Sequence, residues 1–140
     1  MLTKIKEMHS KFNVYSSVKN MDNETLLAFL KFRKDCIQEE VNELQDAIND
    51  FEKSKSLEDA DLIIDSTIDA MVFSLGLLDL LNVDVQTAWN KVMDANLNKE
   101  VGIKAGRSNP FGLPDLIKPA NWQAPSHFED VPKTLLSKLM

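Results

Sequence analysis

The chain is poor in the residues that make soft-metal sites and crosslinks: its 140 residues include one cysteine and two histidines. Cys36 alone excludes an internal disulfide, and with only His9 and His127 beside it the thiolate and imidazole sites that zinc prefers are excluded too. Any metal here is held by oxygen. Neither histidine has an evident partner in the sequence, so no Ser, Cys or His constellation offers an activated nucleophile. Cys36 reads as a small, partly buried filler. No stretch reaches the roughly 18 uninterrupted apolar residues of a membrane span. The opening segment carries Lys4, Lys6, Glu7 and Lys11 and lacks the apolar run of a signal peptide. The expected location is the cytoplasm, or the host cytoplasm for a phage-encoded chain, with no membrane partner.

Glycine and proline are nearly absent from the first hundred residues. All five prolines (110, 114, 119, 125, 132) and three of the four glycines (102, 106, 112) lie beyond residue 101. The chain therefore divides into helical territory, 1–100, and an irregular Pro/Gly-rich tail, 101–140, expected to pack on the core or the active site of one single domain. At 44% apolar and 27% charged residues it has material for a real core. Charge is unevenly spread within the net −6. Between Asp35 and Asp69 a dozen acids face only Lys53 and Lys55, which repels nucleic acid and attracts cations. From Lys99 to Lys118 the balance turns mildly basic.

Leu2, Ile5, Met8 and Phe12 recur at helical spacing and predict a short first helix. Asp22 or Asn23 can cap a long second helix ending near Phe51, with the stripe Leu30, Ile37, Val41, Leu44, Ile48 and Phe51. Ser56, with Asp59 three residues on, opens a third helix to about Leu81, in which Gly76 marks close packing. Asp84 can cap a fourth, to about Lys99, whose buried side is Val85, Ala88, Trp89, Val92 and Met93. Four helices with short loops predict an all-α, antiparallel four-helix bundle with a loop-rich C-terminal tail and helices pairing between subunits. No strand-like alternation is evident.

At about 100° per residue, Glu40 lies about 60° from the centre of the second helix's apolar stripe, Glu43 about 120° and Glu39 about 160°. Asp46 and Asp50 fall on the opposite side and read as solubility. The third helix is apolar on two faces, one of Ile64, Ile68, Met71 and Leu75, the other of Leu62, Ile63, Phe73 and Leu77, and the Leu62, Phe73 and Leu77 side is expected to meet a second subunit. Asp61, Asp65 and Asp69 fill the narrow sector between them. Like charges flanked by buried surface need a neutraliser, and the simplest is a hard divalent cation, Mg²⁺ or Mn²⁺. On the fourth helix Asn96 and Lys99 take over the apolar stripe, placed to hold a phosphate or sugar. Lys104, Arg107 and Lys118 are further phosphate contacts if the tail folds over the site.

The motif Glu39-Glu40-x-x-Glu43, the acidic helix ending Asp65-Ser-Thr-Ile-Asp69-Ala-Met-Val-Phe-Ser-Leu-Gly76, and Asn96-Leu-Asn-Lys99 occur in this order. Together they resemble the all-α NTP pyrophosphohydrolases of the MazG type. The tail from Gly112 to Trp122 is similar to compact versions common in bacteriophages. The resemblance implies hydrolysis of a nucleoside triphosphate to the monophosphate and pyrophosphate by a homodimer or homotetramer, with two or three Mg²⁺ or Mn²⁺ ions between the acidic helices. It assigns Glu40, Glu43 and Asp69 as metal ligands and leaves open whether Asp61 or Asp65 is the remaining one, because Leu62 stands where relatives carry a glutamate. Glu39 is then the acceptor of the attacking water's proton. A purine such as dGTP is the leading substrate, with dCTP and dUTP behind it. Two other readings compete: a non-catalytic acidic oligomerisation or partner-binding module, and an acidic mimic of nucleic acid.

Overall fold

The computed structural model describes residues 1–140. Five α-helices run Leu2–Lys11 (α1), Val14–Lys19 (α2), Asn23–Ser54 (α3), Leu57–Leu80 (α4) and Val85–Leu97 (α5). A two-stranded hairpin follows, Glu100–Gly102 (β1) against Asp115–Ile117 (β2), and two short 3₁₀ turns end the chain. The three expected caps are in place. Asp22 accepts the Thr25 backbone N–H at 2.8 Å, Ser56 that of Asp59 at 3.1 Å, and Asp84 that of Thr87 at 3.1 Å. These bonds hold the Asp22 and Asp84 carboxyls below the usual carboxylate range.

Two elements depart from the sequence reading. The six-residue α2 is too short to show a periodic stripe, and it starts from Asn13 in a left-handed conformation (φ 55°). The hairpin strands have three residues each, too few for alternation to register.

The central packing is that of α3 on α4, joined by a tight turn through Lys55 at φ 54°. On α3 the residues turned inward are Leu26, Phe29, Arg33, Cys36, Glu40, Leu44, Ala47 and Phe51, steps of three and four that hold one face toward α4. On α4 the matching line is Ser66, Asp69, Phe73, Gly76 and Leu80. Gly76 is there for closeness: a Cβ would stand 3.0 Å from Arg33 Nη2 and 3.4 Å from the His9 ring. The core proper, Val18, Leu26, Leu80 and Leu81, sits where α2, the start of α3 and the end of α4 meet. Leu135, Leu136 and Leu139 of the C-terminal turn close over it, and the Leu135 N–H donates to Leu81 O at 2.9 Å.

This core is thin, with 15 of 140 residues buried, and it leaves a long apolar face bare. Val41 and Ile48 of α3, Ile64, Ile68 and Met71 of α4, and Trp89 and Val92 of α5 are all exposed. Of the two apolar faces on α4, that of Phe73 and Leu77 is half-buried inside the chain, Phe73 under Arg33 and Leu77 on the core. Phe73 and Leu77 are therefore not the side left for a second subunit; the opposite face is the uncovered one.

Candidate active site

Glu40 and Asp69 each lie in the middle of a packing line, so the α3–α4 contact brings two carboxylates face to face where neighbouring turns place Cys36, Leu44, Ser66 and Phe73. The hydrophobic stripe put Glu40 at the border because it summed two faces of α3, one turned to α4 and one, with Val41 and Ile48, left bare. Burial pushes the Glu40 carboxyl above the ordinary glutamate range, and the charges of Glu43, Asp69, Glu39 and Asp65 push it further the same way. Five of the sequence-selected acids thus form one electrostatic group. Asp61 is exposed, nearer the start of α4, and is not among the charges that reach Glu40.

Glu43 and Asp65 also line a cleft of about 220 Å³ between α3 and α4, together with Asp46 and Asp50. Those last two are therefore not on the far side of the helix, as solubility would have them. Asp50 is exposed and pairs with Lys53 at 3.0 Å. No three of these side chains stand close enough to form a ready-made ion site. What fits a divalent cation is the donor set, all hard carboxylate oxygens, with an unbalanced negative charge centred on a partly buried Glu40.

The cationic candidates gather elsewhere. Lys99 donates to Asn96 Oδ1 at 2.8 Å, and its ammonium lies 5.7 Å from the centroid of the Trp122 ring. Lys118 lies 4.5 Å from the same centroid. Lys99, Lys104 and Arg107 line a cavity of about 470 Å³ in the hairpin, closed by Asp115. No hydrogen bond or ion pair joins any of these cations to the acids of α3 and α4 within the chain.

Sequence reasoning missed a buried polar cluster. His9, expected to lack a partner, has its Nδ1 2.8 Å from Asp79 Oδ2, and the Tyr15 hydroxyl donates to the same oxygen at 2.6 Å. Burial first, and then the bond to Asp79, pushes the Tyr15 hydroxyl up to about 12. Arg33 joins the cluster over Gly76, its guanidinium against the rings of Phe73 and Phe29. Only the apolar surroundings of Asp79 in the sequence hinted that this carboxylate needed an internal partner.

The sequence model of the phosphoribosyl-ATP pyrophosphohydrolase family matches residues 6–96, more than half of the chain. The chain belongs to this family. No curated protein and no solved structure matches it. Members of the family hydrolyse a triphosphate and release pyrophosphate, which makes this pyrophosphohydrolase an enzyme and sets aside the non-catalytic readings. The family falls within the MazG-like all-α superfamily and is typically Mg²⁺-dependent. The match takes in Glu39, Glu40, Glu43, Asp61, Asp65, Asp69 and Asn96, and it ends before Lys99, Lys104, Arg107 and Lys118. No helix is long and apolar enough to cross a membrane.

Proposed function

We propose that this chain converts a nucleoside triphosphate to the monophosphate and pyrophosphate, with Glu40, Glu43, Asp65 and Asp69 as the Mg²⁺ or Mn²⁺ ligands. The observation that carries the reading is the pairing of Glu40 with Asp69 in the centre of the α3–α4 contact, where uncompensated like charges oppose folding. Between Asp61 and Asp65, the charge that reaches Glu40 favours Asp65 as the remaining ligand. Bound ions neutralise the triphosphate and lower the pKa of the attacking water. Glu39, on the same turn but exposed, accepts that water's proton. Asn96, Lys99, Lys104, Arg107 and Lys118 hold the phosphates.

The leading substrate is a purine triphosphate, dGTP, with the pyrimidine triphosphates dCTP and dUTP close behind. Phosphoribosyl-ATP, the compound in the family's name, is itself a triphosphate and belongs in the same comparison. The compact, phage-like tail and action in the cytoplasm are part of this reading. A second copy of the chain covers the bare face of Val41, Ile48, Ile64, Ile68, Met71 and Trp89, because a monomer keeping so much contiguous apolar surface in water is unfavourable. Sedimentation at micromolar concentration then gives a dimer or tetramer, and a lone 15.8 kDa species contradicts it.

Metal dependence tests the core of the proposal. Mn²⁺ raises the melting temperature of the parent protein, and Glu40→Gln removes most of that shift. Equal melting curves with Mn²⁺ and with chelator count against the ligand set.

A further inference from the structure

We propose that Trp122, Lys99 and Lys118 form a prearranged polyphosphate clamp, in which Trp122 is the positioning residue that holds the two ammonium groups together. This rests on the reading of the chain as a triphosphate hydrolase, and it concerns residues beyond the segment that the family model matches.

The outermost pair of the hairpin is Glu100 with Ile117, and Lys99 and Lys118 are the residues that flank it just beyond the ladder. No carboxylate lies within ion-pair distance of either. What they share is one indole: both ammonium groups are within cation–π reach of Trp122, at 5.7 and 4.5 Å from its centroid. The ring is fixed in turn, since its Nε1–H donates to Ala95 O at 2.6 Å in the last turn of α5. Lys99 is also held by Asn96.

A ring quadrupole attracts cations without neutralising them. The pair therefore keeps its full charge for an anion with several oxygens, such as the phosphates of a nucleotide or released pyrophosphate. The other basic group of the tail differs. Arg107 Nη1 is 4.0 Å from Asp115 Oδ1, and the second oxygen of that buried carboxylate accepts the Lys104 backbone N–H at 3.3 Å. Asp115 thus balances Arg107 and shapes the loop, whereas Lys99 and Lys118 stay unbalanced.

Inorganic tripolyphosphate is the probe, with binding followed by isothermal titration calorimetry, which reads the parent and the Trp122 variants alike. Saturable binding by the parent is expected. Lys118→Ala raises the dissociation constant about tenfold, the loss of one charge-assisted contact. With nucleotide it raises KM by a similar factor and leaves kcat within about twofold. Trp122→Ala weakens the probe and also lowers kcat, because it releases Lys99 as well. Trp122→Phe keeps the ring and restores most of the affinity, which a purely structural role for the indole N–H would not allow. Unchanged tripolyphosphate affinity in Lys118→Ala overturns the clamp, and that variant decides the matter should Trp122→Ala fail to fold. If the parent binds tripolyphosphate in this way but releases pyrophosphate from no nucleotide, the clamp stands and the enzymatic reading falls. If it releases pyrophosphate and both lysine and tryptophan variants are neutral, only the clamp falls.

Discussion

Glu40→Gln and Asp69→Asn each abolish pyrophosphate release while leaving the helical circular dichroism spectrum unchanged. The side chains are nearly isosteric with the originals, so the α3–α4 packing line keeps its shape. What disappears is one ligand charge from a cluster that already repels itself. Retention of more than about a tenth of the activity in both variants, a loss of under ~1.4 kcal/mol of barrier stabilisation, contradicts the metal assignment. Stability gives a second readout of opposite sign. The Glu40 carboxyl is raised in the folded protein, so between the ordinary glutamate range and that raised value the folded state holds a proton that the unfolded chain has lost. Folding stability from this group therefore falls as pH rises through that window. At neutral pH with chelator, Glu40→Gln is at least as stable as the parent, and its advantage fades as pH drops below the ordinary glutamate range. A variant less stable than the parent under those conditions would mean that Glu40 makes favourable contacts the account leaves out.

Lys99→Ala lowers kcat by one to three powers of ten, roughly 1.4 to 4 kcal/mol. Lys99 follows directly on the end of α5 and is held by Asn96 and Trp122, so its ammonium is in place before the reaction starts. A fixed charge of that kind stabilises negative charge as it develops on the phosphates, and its loss appears in kcat. Lys104 and Arg107 are exposed, in the loop between β1 and β2, and Arg107 already faces Asp115. Replacing either one chiefly raises KM and leaves Mn²⁺ binding as it was. Greater damage to kcat from both Lys104→Ala and Arg107→Ala than from Lys99→Ala reverses this order and makes the loop the principal phosphate grip.

The parts of the molecule that were legible in the sequence are those decided within a few residues. Asp22, Ser56 and Asp84 announced three helix starts because a cap is a contact between neighbours three apart. The acids of α3 and α4 stood out because carboxylates beside an apolar stripe conflict with its burial. Less could be read about which face of a helix meets what. α3 carries apolar residues toward α4 and also on its bare side, and one averaged stripe moved Glu40 from the centre of the contact to its edge. The same averaging sent Asp46 and Asp50 to the far side, although they border the cleft with Glu43 and Asp65. On α4 it turned Phe73 and Leu77 outward to a second subunit, whereas they face inward and Ile64 and Ile68 stay bare. Contacts between distant positions were invisible altogether. His9 meets Asp79 across 70 residues, and Trp122 reaches back to Ala95 across 27. No periodicity encodes either meeting.

Whether the acids of α3 and α4 serve a pyrophosphohydrolase site is decided by the products of turnover. Each common NTP and dNTP, and phosphoribosyl-ATP, is incubated with the protein and Mg²⁺ or Mn²⁺, and nucleoside monophosphate, pyrophosphate and orthophosphate are measured together. Monophosphate and pyrophosphate are expected in equal amounts, with dGTP among the fastest substrates, no turnover in chelator and none in Glu40→Gln. Orthophosphate as the first product, or pyrophosphate release that survives both chelator and Glu40→Gln, would contradict that assignment.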